Sequence, residues 1–182
     1  MASSAVCFIG ALFLRALWHK LQDTELFIAR LEAYRVLPPA VARSAGWAIL
    51  ALEVLVMLSV ILPGLRLVGT HIAVILLLAY ASAMALNIAK GRTDLDCGCG
   101  SGSAGPTLSW YLVVRNLVLA TIAAVPLFTV EDVISWYGWL IAFLAALLLF
   151  AVYLLFEQIL ANTAHSGIPA RSDLAREGPN GL

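Results

Sequence analysis

The sequence predicts an all-α, polytopic membrane protein, in which a bundle of four transmembrane helices is followed by a fifth transmembrane helix. Of the 182 residues, 62% are hydrophobic and only 12% are charged, whereas ordinary soluble domains carry roughly 25% charged residues. The mean hydropathy is +0.95, and the apolar residues fall into long runs. The 11 basic residues balance the 11 acidic ones, so the chain lacks the basic surface that nucleic-acid binding requires.

Five apolar stretches have about the length that a membrane helix needs, which is about 20 residues. The turn signal Pro63-Gly64-Leu65-Arg66 separates the second stretch from the third. Short connections favour antiparallel neighbours and therefore a compact bundle. We expect residues 1–160 to form the membrane domain and residues 161–182 to form a polar, flexible tail. The predicted spans are Ser4–Leu21, Ser44–Leu62, Leu67–Ala89, Leu108–Phe128 and Val133–Phe156.

The segment after the first span, residues 19–43, is predicted to share a membrane face with the loop after the third span, residues 90–107. The reason is that two crossings separate the two segments. In the first segment, Thr24 can cap a short amphipathic helix that lies along the membrane interface and covers one end of the bundle. An ordered connecting loop is the alternative. The inward stripe of this helix would carry Phe27, Leu31 and Tyr34.

The most informative stretch is the glycine-rich loop that carries Cys97 and Cys99, two of the three cysteines of the chain. The Cα atoms of residues two apart come close enough for a disulfide, but the small ring is strained. Strained, exposed disulfides are the labile or catalytic ones, and Gly98 relieves part of the strain because it accepts backbone angles that other residues avoid. We therefore predict that Cys97 and Cys99 form a redox-active pair, preceded directly by Asp96.

Two other interpretations of this loop stay open. The cysteines could be incidental residues of a flexible turn, or they could bind a metal ion together with Asp96 and His19. Two thiolates only two residues apart chelate tetrahedral zinc poorly, so we expect no metal site. Cys7, near the opposite end of the first span, is expected to be a small structural residue.

The charged residues Arg15, Glu53 and Arg115 lie deep within the predicted spans. Charges in a bilayer are costly, so they normally face the bundle interior and form pairs. A rise of 1.5 Å per residue places Glu53 and Arg115 at similar depths below the shared face. We expect these two to form a buried ion pair beneath the cysteines, with Arg15 and Asn116 as further partners. Such a pair would hold the helices in register, or it would take part in redox or proton chemistry.

These residues resemble the methylamine utilisation protein MauE family, within the broader group of DoxX-like membrane proteins. The resemblance extends from about Phe8 to Phe128, and its most specific part is the run Asp96-Cys97-Gly98-Cys99-Gly100. Members of the family usually continue Cys-Gly-Cys-Phe-Gly, whereas Gly100-Ser101-Gly102 follows Cys99 here. The weaker matches are Leu17 to Leu21, Phe27 to Pro38, Glu53, Asn87 to Arg92, Leu108 to Trp110, and Arg115-Asn116.

The resemblance implies a membrane protein of thiol–disulfide exchange, acting as a disulfide oxidoreductase in the maturation of an exported protein. The implied partners are a thioredoxin-like periplasmic protein and, as client, the disulfide-rich small subunit of a methylamine dehydrogenase. A quinone as second substrate follows only by analogy with quinone-linked disulfide oxidases and vitamin K epoxide reductase, whose bundles look similar. Two alternatives stay open: a non-redox scaffold or chaperone that recruits a thioredoxin-like protein, and a small-molecule or metal carrier.

Two signals oppose each other on membrane orientation. Most Lys and Arg residues lie on the shared face, and the positive-inside rule would place that face in the cytoplasm. A disulfide donor, however, works in an oxidising compartment. We therefore predict a multi-pass protein of the bacterial inner membrane whose loop with Cys97 and Cys99 lies on the periplasmic side.

Overall fold

The computed structural model describes residues 2–93, 108–129 and 136–166, and these ranges contain six α-helices, two short 3₁₀ turns and no strand. The all-α prediction is therefore confirmed. The chain divides into two compact units, Met1–Phe150 and Ala151–Leu182, and the second unit includes the C-terminal part of the last helix. The helices are α1 (Ala2–Gln22), α2 (Thr24–Ala33), α3 (Pro39–Ile61), α4 (Arg66–Ala89), α5 (Trp110–Ala124) and α6 (Trp136–Ser166).

Five of the described helices are long and apolar enough to cross a membrane, which confirms the five predicted spans. Two helix ends differ most from the prediction: α6 ends at Ser166 rather than Phe156, and α3 begins at Pro39 rather than Ser44. Pro38 has an extended backbone (φ −58°, ψ 142°) and Pro39 occupies the first helical position. Proline is well suited to that position because its missing N–H would have no partner there and its φ is already helical.

Helices α1, α3, α4 and α5 form the four-helix bundle. Packing contacts join α1 to α3, α3 to α4, α4 to α5, and α5 back to α1. The interior is apolar and closely packed, and its most buried side chains include Phe13, Val56, Leu77 and Met84. The outward faces are also apolar but exposed, as at Ile75 and Val114, which is the pattern that a lipid environment favours.

Small residues let the bundle helices approach one another closely. A Cβ atom on Gly69 of α4 would lie 2.2 Å from the Cβ and 1.9 Å from the Oγ of Ser59 on α3. A Cβ atom on Gly10 of α1 would lie 2.6 Å from Cγ2 of Val60. Close backbone approach at small residues is how membrane helices gain van der Waals contact, since lipid offers them no hydrophobic driving force.

Helix α2 packs against α3 and α1 and covers one end of the bundle. The inward stripe is confirmed, since Phe27, Leu31 and Tyr34 are half-buried and Ile28 between them is 3% exposed. The predicted cap was wrong by one residue: the carboxylate of Asp23, not the hydroxyl of Thr24, accepts a hydrogen bond from the backbone N–H of Leu26 (2.9 Å).

Replacing Gly69 by alanine should weaken the contact between α3 and α4, because the new methyl group overlaps the Cβ of Ser59, which no rotamer change moves. Overpacking of this kind typically costs about 1–3 kcal/mol. The measurement is the midpoint of thermal unfolding of the purified protein in detergent. Gly64→Ala is the matched control, because a Cβ there meets nothing within 4 Å. Equal midpoints for the two variants would contradict this packing.

Candidate functional site

A buried polar cluster lies where the end of α1 meets the middle of α3 and α4. It consists of Lys20, Glu53 and Tyr80, which we call the buried triad. The Lys20 ammonium forms an ion pair with Oε1 of Glu53 and donates a second hydrogen bond to the Tyr80 hydroxyl (3.0 Å). The Tyr80 hydroxyl in turn donates to the same Glu53 oxygen (2.7 Å). Three helices of the bundle therefore meet in one hydrogen-bonded cluster.

The surroundings of the triad shield it from solvent. Glu53 is 0% exposed and Lys20 only 9%. The ammonium also lies 4.8 Å from the ring centroid of Tyr80 and 5.0 Å from that of Phe27 on α2, at the distance where aromatic faces attract cations. Helix α2 thus supplies one wall of the triad.

The predicted partner of Glu53 was wrong. Among the described residues Glu53 forms its ion pair with Lys20, not with Arg115. The prediction compared the depths of the Glu53 and Arg115 Cα atoms below the shared face. It placed the start of α3 at Ser44, whereas the helix begins at Pro39. It also ignored the four-carbon stem of lysine, which can carry the charge well away from the backbone. Lys20 lies two residues before the end of α1, and its side chain reaches the carboxylate from there.

The remaining predicted site residues do not join the triad through any described hydrogen bond. Asn116 is buried on α5, and its amide donates to the Leu112 carbonyl of its own helix (2.9 Å). Arg15 on α1 and Arg115 on α5 are half-buried and have interactions of their own. Asp96, Cys97 and Cys99 lie outside the described residues.

A second polar cluster closes the end of α4. Gly91 adopts a left-handed conformation (φ 73°), its N–H bonds to the Ile88 carbonyl (2.9 Å), and the Arg92 N–H bonds to the Asn87 carbonyl (3.0 Å). This pattern is the Schellman motif that ends many helices. It turns the chain so that the Arg92 side chain points back across the end of the bundle.

Arg92 connects α4 to the end of α2. Its Nη1 donates to the side-chain oxygen of Asn87 (2.9 Å) and to the Tyr34 carbonyl (3.3 Å), and its Nη2 donates to the Ala33 carbonyl (2.5 Å). We call this arrangement the Arg92 clamp. Since it joins the segment after α1 to the segment after α4, it confirms the predicted shared face for the described parts of the two.

The two residues that flank the undescribed segment 94–107 are hydrogen-bonded to each other. The Leu108 N–H donates to the Thr93 carbonyl (3.1 Å). Thr93 and Leu108, the residues on either side of the segment that carries Cys97 and Cys99, therefore lie at one point, directly after Arg92 in the chain. We call this point the loop root.

Sequence reasoning missed the roles of four residues, although some signals were present. Tyr80 lies inside a span that is otherwise almost entirely apolar, and a buried tyrosine hydroxyl needs a hydrogen-bond partner. Asn87, Arg92 and Lys20 belong to stretches that carry the family resemblance, and Arg92 and Lys20 also count among the basic residues of the shared face. No pattern in the sequence indicates that Lys20 turns inward.

The triad offers one hydrogen-bond acceptor that no described residue fills. Oε1 of Glu53 accepts from both Lys20 and Tyr80, while Oε2 is buried and accepts no hydrogen bond from a described residue. A buried acceptor without a donor is costly, so Oε2 is the position at which a further hydrogen-bond donor would bind. Within the described ranges, no three His, Cys, Asp or Glu side chains come together as a metal site would need.

These features define a polytopic helical membrane protein with a polar site beneath the amphipathic helix α2. Five of the described helices are apolar enough to span a membrane, and an ion pair lies between two of them. The family model described as methylamine utilisation protein MauE matches residues 1–129, and the chain therefore belongs to the MauE family.

Two curated relatives agree with this family. The chain is 32% identical over 116 residues to the methylamine utilization protein MauE of Paracoccus denitrificans and 30% identical over 116 residues to that of Paracoccus versutus. Each match covers 64% of this chain and 62% of the relative, so slightly less than two thirds of each relative is matched. No solved structure is significantly similar to this chain.

Removing one member of the ion pair should destabilise the protein more than removing both. Breaking a buried pair typically costs roughly 3–5 kcal/mol, whereas replacing both charges can be nearly neutral. We expect Lys20→Met to lower the unfolding midpoint most, because it leaves a fully buried carboxylate. Glu53→Gln should cost less, since Lys20 lies near the helix end and its ammonium can turn to the membrane face.

The double variant Lys20→Met/Glu53→Gln should recover most of the stability, because the glutamine oxygen still accepts from Tyr80. Thermal unfolding in detergent and the amount of folded protein in the membrane are the two measurements. The control is Arg43→Met, which removes an ion pair with Glu25 whose side chains are 63% and 72% exposed; such pairs contribute at most about 1 kcal/mol. Additive losses in the double variant would show that Lys20 and Glu53 do not depend on each other.

Proposed function

We propose that this protein is a membrane thiol–disulfide exchange protein that supports the maturation of an exported protein, and that Cys97 and Cys99 carry the exchange. The observation that carries the proposal is the family match over residues 1–129, which includes both cysteines. The spacing of the two thiols on either side of Gly98 is consistent with a strained, reactive pair.

The proposed reaction is a transfer of the disulfide to a dithiol partner. A thiolate of the partner attacks one sulfur of the Cys97–Cys99 disulfide, and the other cysteine leaves as a thiolate. The second partner thiolate then attacks the mixed disulfide, so the partner becomes oxidised and the cysteine pair becomes reduced. A two-electron, two-proton acceptor of the quinone class would regenerate the disulfide.

The third cysteine does not suit a relay of electrons to this pair. Cys7 lies 13 residues before Lys20 on α1, which corresponds to about 20 Å along the helix. The shared face with the loop root is at the Lys20 end. A partner would therefore attack Cys97 or Cys99 directly, without a second cysteine pair in this chain.

The proposed biological role is in methylamine utilisation, the process in the printed names of the two relatives. In this role the direct partner is a thioredoxin-like periplasmic protein. The client is a disulfide-rich exported protein of the kind represented by the small subunit of methylamine dehydrogenase. The competing role is that of a scaffold, which binds the same partner without exchanging a disulfide.

Substitution of the cysteines separates exchange from scaffolding. Under mild oxidation, Cys97→Ser and Cys99→Ser should each form a stable mixed disulfide with a partner variant that keeps only its attacking cysteine, because neither protein then has a second thiolate to resolve it. The double variant should abolish client maturation in a deletion strain, while Cys7→Ser should retain it. The measurements are non-reducing gels for the trapped species and the disulfide state of the client. Full maturation with the double variant would support the scaffold and overturn the exchange proposal.

We also propose that the protein lies in the bacterial inner membrane with the loop root on the periplasmic side. In a Cys7→Ser background, a membrane-impermeant maleimide applied to intact, reduced cells should then label Cys97 or Cys99. The control is Cys97→Ser/Cys99→Ser/Cys7→Ser, which should give no signal. Labelling that occurs only after lysis would reverse the orientation.

A further inference from the structure

We propose that Glu53, Tyr80 and Phe27 form a binding site for a primary ammonium group, and that a short alkylammonium ion competes with Lys20 for this site. We call the three residues the ammonium site. In this structure the side chain of Lys20 occupies the site from within the chain. The inference is independent of the proposed thiol exchange, which does not use this ligand.

The site contacts the ammonium group on several sides. Oε1 of Glu53 forms an ion pair with it, the Tyr80 hydroxyl accepts a hydrogen bond from it (3.0 Å), and the ring centroids of Tyr80 and Phe27 lie 4.8 Å and 5.0 Å away. Aromatic faces recognise ammonium ligands at such distances. Because all of these contacts are made to the ammonium itself, a free primary ammonium ion would meet the same groups.

The carboxylate of Glu53 has an acceptor left for a second ammonium. Oε1 accepts from Lys20 and from Tyr80, whereas Oε2 accepts from no described residue. Glu53 is 0% exposed, and a buried acceptor without a donor is costly. An incoming ammonium can therefore bind Oε2 before Lys20 leaves Oε1, so the buried carboxylate keeps a cationic partner throughout the exchange.

The position of Lys20 lets its side chain leave the site. Lys20 lies two residues before the end of α1, and its flexible stem can carry the ammonium to the membrane face. The residue is only 9% exposed, so the stem fills buried space that leads to the carboxylate. A short, unbranched alkylammonium ion has the shape of that stem. A quaternary ammonium ion is bulkier and has no N–H donor for Oε2.

Replacing Lys20 by alanine empties the site and allows a direct binding test. Lys20→Ala removes the side chain beyond Cβ, which has the same carbon and nitrogen atoms as n-propylammonium. At about ten times its Kd, this ion should raise the unfolding midpoint of the purified variant in detergent by about 3–6 °C, because it binds only the folded state.

The controls separate an ammonium site from a general effect of salt or of a filled cavity. Tetramethylammonium chloride has the same charge, and 1-propanol has the same shape without charge; neither should stabilise Lys20→Ala. In Lys20→Ala/Glu53→Gln, n-propylammonium should have no effect, because the carboxylate is gone. Arg43→Ala should also show no effect, since it removes a cation whose side chain is 63% exposed.

The parent protein tests the competition with Lys20, because the chain has only two lysines, Lys20 and Lys90. In protein labelled with ¹⁵N-lysine, the buried Lys20 ammonium should give an NMR signal that is protected from exchange with water, whereas Lys90 is exposed. Addition of n-propylammonium should weaken the Lys20 signal in a saturable manner. Tetramethylammonium at the same ionic strength should leave it unchanged.

Two results would overturn the ammonium site: equal stabilisation of Lys20→Ala by n-propylammonium and either control compound, or stabilisation that persists without the Glu53 carboxylate. A Lys20 signal that stays unchanged at about a hundred times the Kd of Lys20→Ala would overturn the competition in the parent. If Lys20→Ala does not fold, the NMR titration decides alone, and an unchanged signal up to the solubility limit of n-propylammonium chloride overturns the proposal.

Discussion

The Lys20–Glu53 ion pair joins α1 to α3 inside the bundle, and Tyr80 extends the cluster to α4. In hydrocarbon, neither charge is tolerable without its partner. The pair therefore fixes the relative rotation and depth of helices whose other contacts are almost all apolar and non-directional. Because Phe27 lies against the same ammonium, the pair also sets where α2 can rest.

Around this polar cluster, the bundle depends on shape rather than on hydrophobicity. Lipid chains are as apolar as leucine, so burial of apolar area does little to drive membrane helices together. Close approach at Gly69 and Gly10 gives the van der Waals contact that replaces this driving force. The triad and these close contacts are complementary: one fixes the register of the helices, and the others bring them into contact.

Helix α2 links the fold to the proposed chemistry. One part of it covers the triad through Phe27, and its end accepts hydrogen bonds from Arg92. Arg92 lies one residue before Thr93, where the loop root begins. The two polar clusters thus hold α2 at both ends. Rigid support of this kind is what precise positioning of a functional site requires.

The sequence by itself determined the class of the protein and the number of its spans, because the length and apolar character of a membrane helix are set by the bilayer. It also determined which segments share a face, since that follows from counting crossings, and it indicated an amphipathic helix through the spacing of Phe27, Leu31 and Tyr34. The family match over residues 1–129 agrees with the resemblance carried by the run around Cys97 and Cys99.

Only the tertiary structure decided which charges meet. Glu53 has several cationic candidates at plausible depths, and the outcome depends on the start of α3 and on the direction of a long, flexible lysine side chain. The Arg92 clamp likewise depends on a left-handed Gly91 and on carbonyls of Ala33 and Tyr34 that are distant in sequence. Periodicity reports which face of a helix is buried, but it does not report the rotation of one helix against another. That rotation is what brings side chains together.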